Sequence, residues 1–318
     1  MSAQPAPGDH GTAGTAGPTP APASASASVD RARLARPVPL GRRSTATLLL
    51  ISAIGVVAFG WPLLASTGSA LVGHSADAPW LFALLLPLLL AVVVAQISEG
   101  RSATGEPGMD AKAVALLGML AAAGAALRPL GAGTAGLEPM FFLMVLSGRV
   151  LGPGFGFVLG SVSMFASALL TGGVGPWLPF QMLSMGWVCL GAGLLPGAAA
   201  LRGRRELALL AGYGACSAVA YGTIMNLQGW PYIGGLSSSI SFVAGAPLSE
   251  NLPRFAAYCL TTSLGWDLPR AALTVVLCLT LGGPVLRTLR RASRRAAFGA
   301  PVAFTAARTP SEEDARPR

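Results

Sequence analysis

Long apolar segments follow one another along most of this chain, and they leave few folds open to it. We predict eight membrane-spanning segments: residues 45–65, 79–97, 111–128, 135–150, 153–171, 179–201, 206–227 and 268–289. A helix of about 20 apolar residues crosses the ~30 Å of hydrocarbon in a bilayer. Inside a bilayer the backbone must hydrogen-bond to itself, so a span is a helix or belongs to a closed barrel. Because apolar and polar residues do not alternate, the sequence predicts an all-α, polytopic transmembrane helical bundle.

The composition agrees with this class and marks four regions. Charged residues make up 11% of the chain and hydrophobic residues 53%, whereas about a quarter of the residues in a soluble domain are charged. Residues 1–44 are rich in Ala, Pro, Ser, Gly and Thr, which predicts a disordered tail, and residues 291–318 are predicted to form another. Between them we predict an N-terminal transmembrane hairpin, 45–97, and a six-helix membrane domain, 98–290. The long connection 228–267 contains a possible short helix near 253–264, either re-entrant or not.

The basic residues predict an orientation in the membrane. With both termini in the cytoplasm, only Arg128, Arg254 and Arg270 of the 22 Lys and Arg residues lie on the outer side. This distribution satisfies the positive-inside rule and indicates a multi-pass protein of the cell membrane. The net charge of +9 is therefore interpreted as topology and contact with anionic lipid. Nucleic-acid binding is not predicted, because no basic patch is interleaved with stacking aromatic residues.

The sequence offers no chemistry of its own to drive a reaction or a transport cycle. Its one lysine, Lys112, is followed by alanine, so there is no Walker A phosphate-binding loop. The carboxylates all fall in loops, tails or span ends, and no proton or sodium relay is predicted in mid-membrane. The two histidines, His10 and His74, have no second ligand at metal spacing. We therefore expect a protein that is not an enzyme, with no cofactor and no metal.

Polar and aromatic residues concentrate at the predicted outer ends of the spans, as expected for a pocket that opens outward. The predicted substrate-binding residues are Arg128, Glu138, Trp177, Gln181, Asn226, Gln228, Trp230 and Tyr232. Other interpretations stay open. The tryptophans also suit an aromatic belt at the membrane surface, and Gln181 suits a hydrogen bond between helices. Arg128 and Glu138 either pair with a charged group of a ligand or bond each other.

Small residues form two stripes at helical spacing. Gly152, Gly156 and Gly160 lie at i, i+4 and i+8, and we interpret them as a packing surface that lets a neighbouring backbone approach closely. The second stripe lies in the third predicted span and consists of Ala111, Ala115, Gly118 and Ala122. It suits ordinary packing in a fixed bundle, or docking to another subunit if it faces lipid.

Residues 128–196, and above all the block GGVGPWLPFQM, resemble the substrate-binding S component of an energy-coupling factor (ECF) vitamin transporter of actinobacterial type. The resemblance is weaker over 197–291 and absent from the tails. It implies a six-helix S-component core, to which the 45–97 hairpin is an addition. It also implies capture of a vitamin or related micronutrient from outside, with cobalamin or a precursor as a guess.

The same resemblance implies the partners of the chain. They are a transmembrane scaffold (T) subunit and two cytoplasmic ABC ATPases, which supply the energy for uptake. The stripe of Ala111, Ala115, Gly118 and Ala122 would contact the scaffold subunit. Two alternatives remain open: a structural or assembly membrane protein without a small ligand, and an autonomous secondary transporter driven by an ion gradient.

Overall fold

The chain is described as a computed structural model that covers residues 42–64, 84–98, 109, 111–131, 136–196 and 201–296. Most of the predicted tails, 1–44 and 291–318, lies outside these residues. The described part is helical and contains no strand, which confirms the all-α prediction. The helices are α1 (Arg42–Leu64), α2 (Leu85–Ser98), α3 (Ala111–Leu127), α4 (Met140–Leu151), α5 (Pro153–Thr171), α6 (Leu178–Leu194), α7 (Arg204–Gly229), α8 (Leu248–Tyr258), α9 (Leu264–Thr280) and α10 (Gly282–Ala296).

In the described part of the chain, four regions are long and apolar enough to cross a membrane: Arg42–Leu64, Ala111–Gly131, Pro153–Thr171 and Arg204–Tyr232. The bent pair Leu248–Thr280 and Gly282–Arg295 makes five if it counts as one span. Three shorter apolar helices, α2, α4 and α6, fill the bundle between them. The 12 residues of α4 extend only about 18 Å at 1.5 Å per residue, less than the hydrocarbon thickness. The chain is thus a helical membrane protein, and its described residues contain four or five full-length spans by this criterion, whereas eight were predicted over the whole sequence.

The last predicted span, 268–289, has different bounds in the structure. A continuous helix runs from Leu248 to Thr280, and the next helix then turns by 70°. The break falls at Leu281, and the next helix begins with Gly282, Gly283 and Pro284, where proline cannot donate a backbone hydrogen bond to the preceding helix and glycine favours helix poorly. The possible helix near 253–264 is part of this long helix and joins α9 through a π-helical segment, Cys259–Ser263, without a reversal.

Glycines place α5 directly against α6. A side chain at Gly156 would lie 2.8 Å from the carbonyl oxygen of Cys189, and one at Gly160 would lie 2.5 Å from that of Met185. Gly148 of α4 meets the same Cys189 carbonyl. The packing interpretation of Gly156 and Gly160 is confirmed. Gly152 differs, because its φ of 96° lies in the region that favours glycine, and it separates α4 from α5.

The first two helices are integrated into the bundle. Ser44 of α1 and Gln96 of α2 hydrogen-bond to each other through their side chains, and the Gln96 amide also donates to the Ser44 carbonyl at 3.2 Å. On its other side α1 accepts a hydrogen bond at Ser52 Oγ from the indole nitrogen of Trp187, 3.0 Å away. Phe59 packs edge-on against Phe180 of α6, with ring centroids 4.8 Å apart. The predicted hairpin therefore forms part of the helical core.

Candidate functional site

A cavity of about 250 Å³ lies at the end of the bundle where α3 ends and α4 begins. The residues that line it are Arg128, Pro129, Gly131, Glu138, Thr171, Gly173 and Trp177. Three of them, Arg128, Glu138 and Trp177, belong to the predicted substrate-binding set. They come from two connections, α3–α4 and α5–α6, so the structure brings together residues that are up to 49 positions apart in the chain.

The GGVGPW segment shapes one wall of this cavity. α5 ends at Thr171 because Gly172 adopts a left-handed conformation, φ 65°, in which its N–H still bonds to the Ala168 carbonyl. Trp177 then occupies the N-cap position of α6, and its indole nitrogen donates to the Gly173 carbonyl at 3.2 Å. The Trp177 side chain is 46% exposed, so this bond holds a ring that remains accessible at the rim. Here the indole is fixed in place and still offers a face for stacking.

A buried charge cluster supports the opposite wall. Arg270 of α9 pairs with Asp267 at 2.7 Å and with Glu138 at 3.3 Å, and its guanidinium lies over the rings of Phe141 and Tyr221 at 5.4 and 5.5 Å. The Asp267 carboxylate fits directly against Gly222 of α7, where a side chain would collide with it. Arg270 is 7% exposed and Asp267 4%. The cluster thus joins α4, α7 and α9 and holds Glu138 in position at the cavity.

Glu138 is paired with Arg270, which leaves Arg128 without its predicted intramolecular partner. Among the described residues, the Arg128 side chain makes no hydrogen bond or ion pair, although it is partly buried at the cavity wall. A partly desolvated guanidinium favours an anionic partner, because its five N–H groups match the geometry of a carboxylate or phosphate. The cavity therefore combines one such cation with the Thr171 hydroxyl and an indole face.

The three predicted amides lie away from this cavity lining. Asn226 donates from its amide to Ser263 Oγ at 2.5 Å and to Cys259 Sγ at 3.4 Å, which fastens α7 to the π-helical segment. Gln228 is buried. The side-chain oxygen of Gln181 is buried and has no hydrogen-bond partner in the described part of the chain. The predicted role of these amides in ligand binding stays a prediction, and the Gln181 side-chain oxygen has unused hydrogen-bonding capacity among the described residues.

Trp230 and Tyr232 belong to a second aromatic cluster, beside the end of α1. Trp230 is 1% exposed, and its indole nitrogen donates to the Ile240 carbonyl at 2.7 Å. It packs against Phe242, Phe255 and Tyr258. The Tyr232 ring lies 6.2 Å from that of Trp61, so the first helix covers this part of the 228–267 connection.

The small-residue stripe of α3 is a free surface. Ala111, Ala115, Gly118 and Ala122 are all exposed, and a side chain added at Gly118 would meet no heavy atom within 4 Å. The buried side of the same helix includes Ala113, Leu117 and Ala121. The prediction left two possibilities for this stripe, packing inside the bundle or a lipid-facing surface, and among the described residues it is not used for packing.

The predicted set lacked three polar side chains that line or support the cavity: Thr171, Asp267 and Arg270. For the last two a signal existed, since a carboxylate and an arginine at i, i+3 near a helix end favour each other. No three His, Cys, Asp or Glu side chains in the described ranges lie close enough together to hold a metal ion. Among the described residues, the cavity thus offers a guanidinium group, a hydroxyl group and an indole ring.

Comparison with known proteins adds no relative, since the chain matches no family model, no curated protein and no solved structure.

Proposed function

We propose that this chain is the membrane-embedded substrate-binding (S) subunit of an ECF-type ABC importer, which captures a vitamin or related micronutrient from outside the cell. The observation that carries the proposal is the cavity in which Arg128, Glu138 and Trp177 meet at one end of the helical bundle. It combines a cation that has no partner among the described residues with a hydroxyl and an accessible aromatic face, which suits recognition of a small polar ligand.

The cavity size narrows the substrate class. Ligand pockets commonly measure roughly 300–1,000 Å³, and this one, at about 250 Å³, lies just below that range. A corrin with its nucleotide loop is too large for such a space, so the cavity favours a smaller micronutrient over cobalamin. Arg128, which makes no ion pair with another described residue, favours a micronutrient that bears a carboxylate or a phosphate group.

The exposed α3 stripe supports the proposed partners. Ala111, Ala115, Gly118 and Ala122 present a smooth surface on which another helix can approach closely. In the proposal this surface docks on the T subunit, and two ABC ATPases bound to that subunit provide the energy.

The distribution of charge supports the proposed orientation in the cell membrane. Arg149 and Glu206 lie at the opposite end of the bundle from Arg128 and Arg270, and the arginines of α10 lie with them. With both termini in the cytoplasm, this richly basic end faces inward, and the cavity opens to the exterior.

The test is to purify the full chain and identify bound small molecules by mass spectrometry of a solvent extract. A vitamin-sized compound with an anionic group, present in near-stoichiometric amount, supports the proposal. A structural or assembly protein would yield none. Uptake by vesicles that contain this chain alone, driven by an ion gradient, would instead indicate a secondary transporter.

Replacing Arg128 with Gln is expected to reduce the retained ligand by about tenfold or more, because a charge-assisted hydrogen bond contributes roughly 1.5–3 kcal/mol. Trp177→Ala should weaken binding by about 1–3 kcal/mol through loss of the stacking surface. Arg254→Gln is the matched control, since the one described partner of the Arg254 side chain is the Ser238 carbonyl in the 228–267 connection. Retention is measured by the same extraction. Equal retention in Arg128→Gln and wild type would remove Arg128 from the site.

Replacing Gly118 with Leu is expected to abolish co-purification with the T subunit, because a bulky side chain would hold the two helices apart. The fold should be unaffected, since nothing lies within 4 Å of the substituted position. The measurement is pull-down of the co-expressed T subunit, with Gly212→Leu on the exposed side of α7 as control. Undiminished capture by Gly118→Leu would exclude this face as the docking surface.

A further inference from the structure

A second charge cluster lies at the other end of α4 and has a different composition. The Glu206 carboxylate, 1% exposed, accepts from Arg149 Nε at 3.2 Å and from Arg290 Nη2 at 2.5 Å. Arg149 Nη1 also donates to the Leu195 carbonyl at 2.6 Å. One carboxylate therefore faces two guanidinium groups that come from α4 and α10.

One donor of this cluster is unused. Nη2 of Arg149 is buried and has no hydrogen-bond partner among the described residues, in a side chain that is 1% exposed. A buried polar group without a partner is costly, and the cost is larger for a charged group. Such an orphan donor beside an excess of positive charge indicates a place for an anion.

Arg202 adds a third cation at the rim of the cluster. Its side chain is largely exposed. Loss of part of its hydration, together with the neighbouring charge of Arg290, lowers the pKa of Arg202. Glu206 raises that pKa to a lesser extent, so the environment of Arg202 is dominated by positive charge. Two guanidinium groups thus contact the Glu206 carboxylate, and a third, that of Arg202, interacts with the cluster electrostatically, which leaves an excess of positive charge.

The bend after Thr280 brings Arg290 into the cluster. α10 turns by 70° from the axis of the preceding helix, and it buries Leu286, Leu289 and Ser293 while Arg287, Arg291, Arg294 and Arg295 are exposed. A helix with one apolar and one strongly basic face suits the plane of the membrane surface. With α10 in that plane, the cluster would lie at the depth of lipid phosphate groups.

We propose that Arg149, Arg202 and Arg290 form a binding site for a phosphate group, supplied by an anionic lipid headgroup or by free phosphate. A phosphate oxygen would accept from the orphan Nη2 of Arg149, and the other oxygens would face Arg290 and the exposed Arg202, a geometry that guanidinium groups recognise well. Glu206 orients Arg149 and Arg290 for this contact. The inference rests on these side chains alone and is independent of the proposed transport function.

The experiment uses the purified, delipidated full chain with three probes: phosphatidylglycerol, phosphatidylcholine and inorganic phosphate. Lipid binding is measured by native mass spectrometry, and stabilisation by each probe is measured as the shift in the thermal unfolding midpoint. Wild type is expected to bind phosphatidylglycerol over phosphatidylcholine. Arg290→Gln and Arg202→Gln should each weaken binding by about tenfold. Arg291→Gln, the adjacent and exposed residue on α10, is the matched control and should change it by less than about twofold.

The outcomes separate the sources and the alternatives. Phosphatidylglycerol binding with this variant pattern supports the site and assigns a lipid phosphate, whereas stabilisation by inorganic phosphate with the same pattern supports the site and assigns a free anion. Equal losses in Arg290→Gln and Arg291→Gln overturn the proposal, because they indicate attraction to the arginine stripe as a whole. The proposal is also overturned if Arg202→Gln and a folded Arg290→Gln variant both bind as strongly as wild type. It is overturned as well if wild type binds neither anionic probe.

Discussion

Replacement of Arg270 with Gln is expected to destabilise the folded protein by about 3–5 kcal/mol, because removal of one partner leaves other buried charges without compensation. Arg270 pairs with both Asp267 and Glu138, so its loss leaves two carboxylates close together in a region of low exposure. It also removes a cation from the faces of Phe141 and Tyr221. The measurement is denaturant or thermal unfolding of the purified protein in detergent.

Arg254→Gln is the matched control for this variant. It makes the same chemical change at the same end of the bundle, but Arg254 contacts the Ser238 carbonyl in a connection outside the charge cluster. A change of about 0.5 kcal/mol or less is expected there. If Arg270→Gln and Arg254→Gln have the same free energy of unfolding, the cluster does not hold α4, α7 and α9 together as described.

A methyl group at Gly160 is expected to have the second large effect. The new carbon would lie 2.5 Å from the carbonyl oxygen of Met185, and neither helix can yield without a shift of its backbone. Overpacking of this kind costs about 1–3 kcal/mol and occasionally more. Gly160→Ala should therefore lower the unfolding midpoint, and because α5 also carries Thr171 at the cavity, it should reduce ligand retention as well.

Gly212→Ala provides the comparison, since a side chain there would meet nothing within 4 Å. Alanine has a higher helix propensity than glycine by about 1 kcal/mol, so this variant should be as stable as wild type or slightly more stable. The same substitution thus has opposite expected signs at two positions within helices. A Gly160→Ala protein that matched Gly212→Ala in stability would contradict the close approach of α5 and α6.

The amino-acid sequence by itself determined the class of the fold and the ends of the bundle at which polar chemistry collects. Long apolar segments with few charged residues require helices in lipid. Helices that run roughly parallel across a bilayer bring the loops at each of their ends together. That is why Arg128, Glu138 and Trp177, chosen for their position at span ends, line a single cavity. Glycine spacing likewise determined the packing surface at Gly156 and Gly160, because an i, i+4 repeat always lies on one side of a helix.

The tertiary structure decided which residues each side of a helix contacts. Periodicity assigns a residue to a side of its helix but does not name the residue opposite. The partner of Glu138 is therefore Arg270, 132 positions away, and not the nearby Arg128. Trp230 and Trp61 lie in one aromatic cluster because α1 packs beside the 228–267 connection. The bend at Gly282–Pro284 brings Arg290 to Glu206. These pairings depend on the three-dimensional approach of helices distant in sequence, which local patterns do not encode.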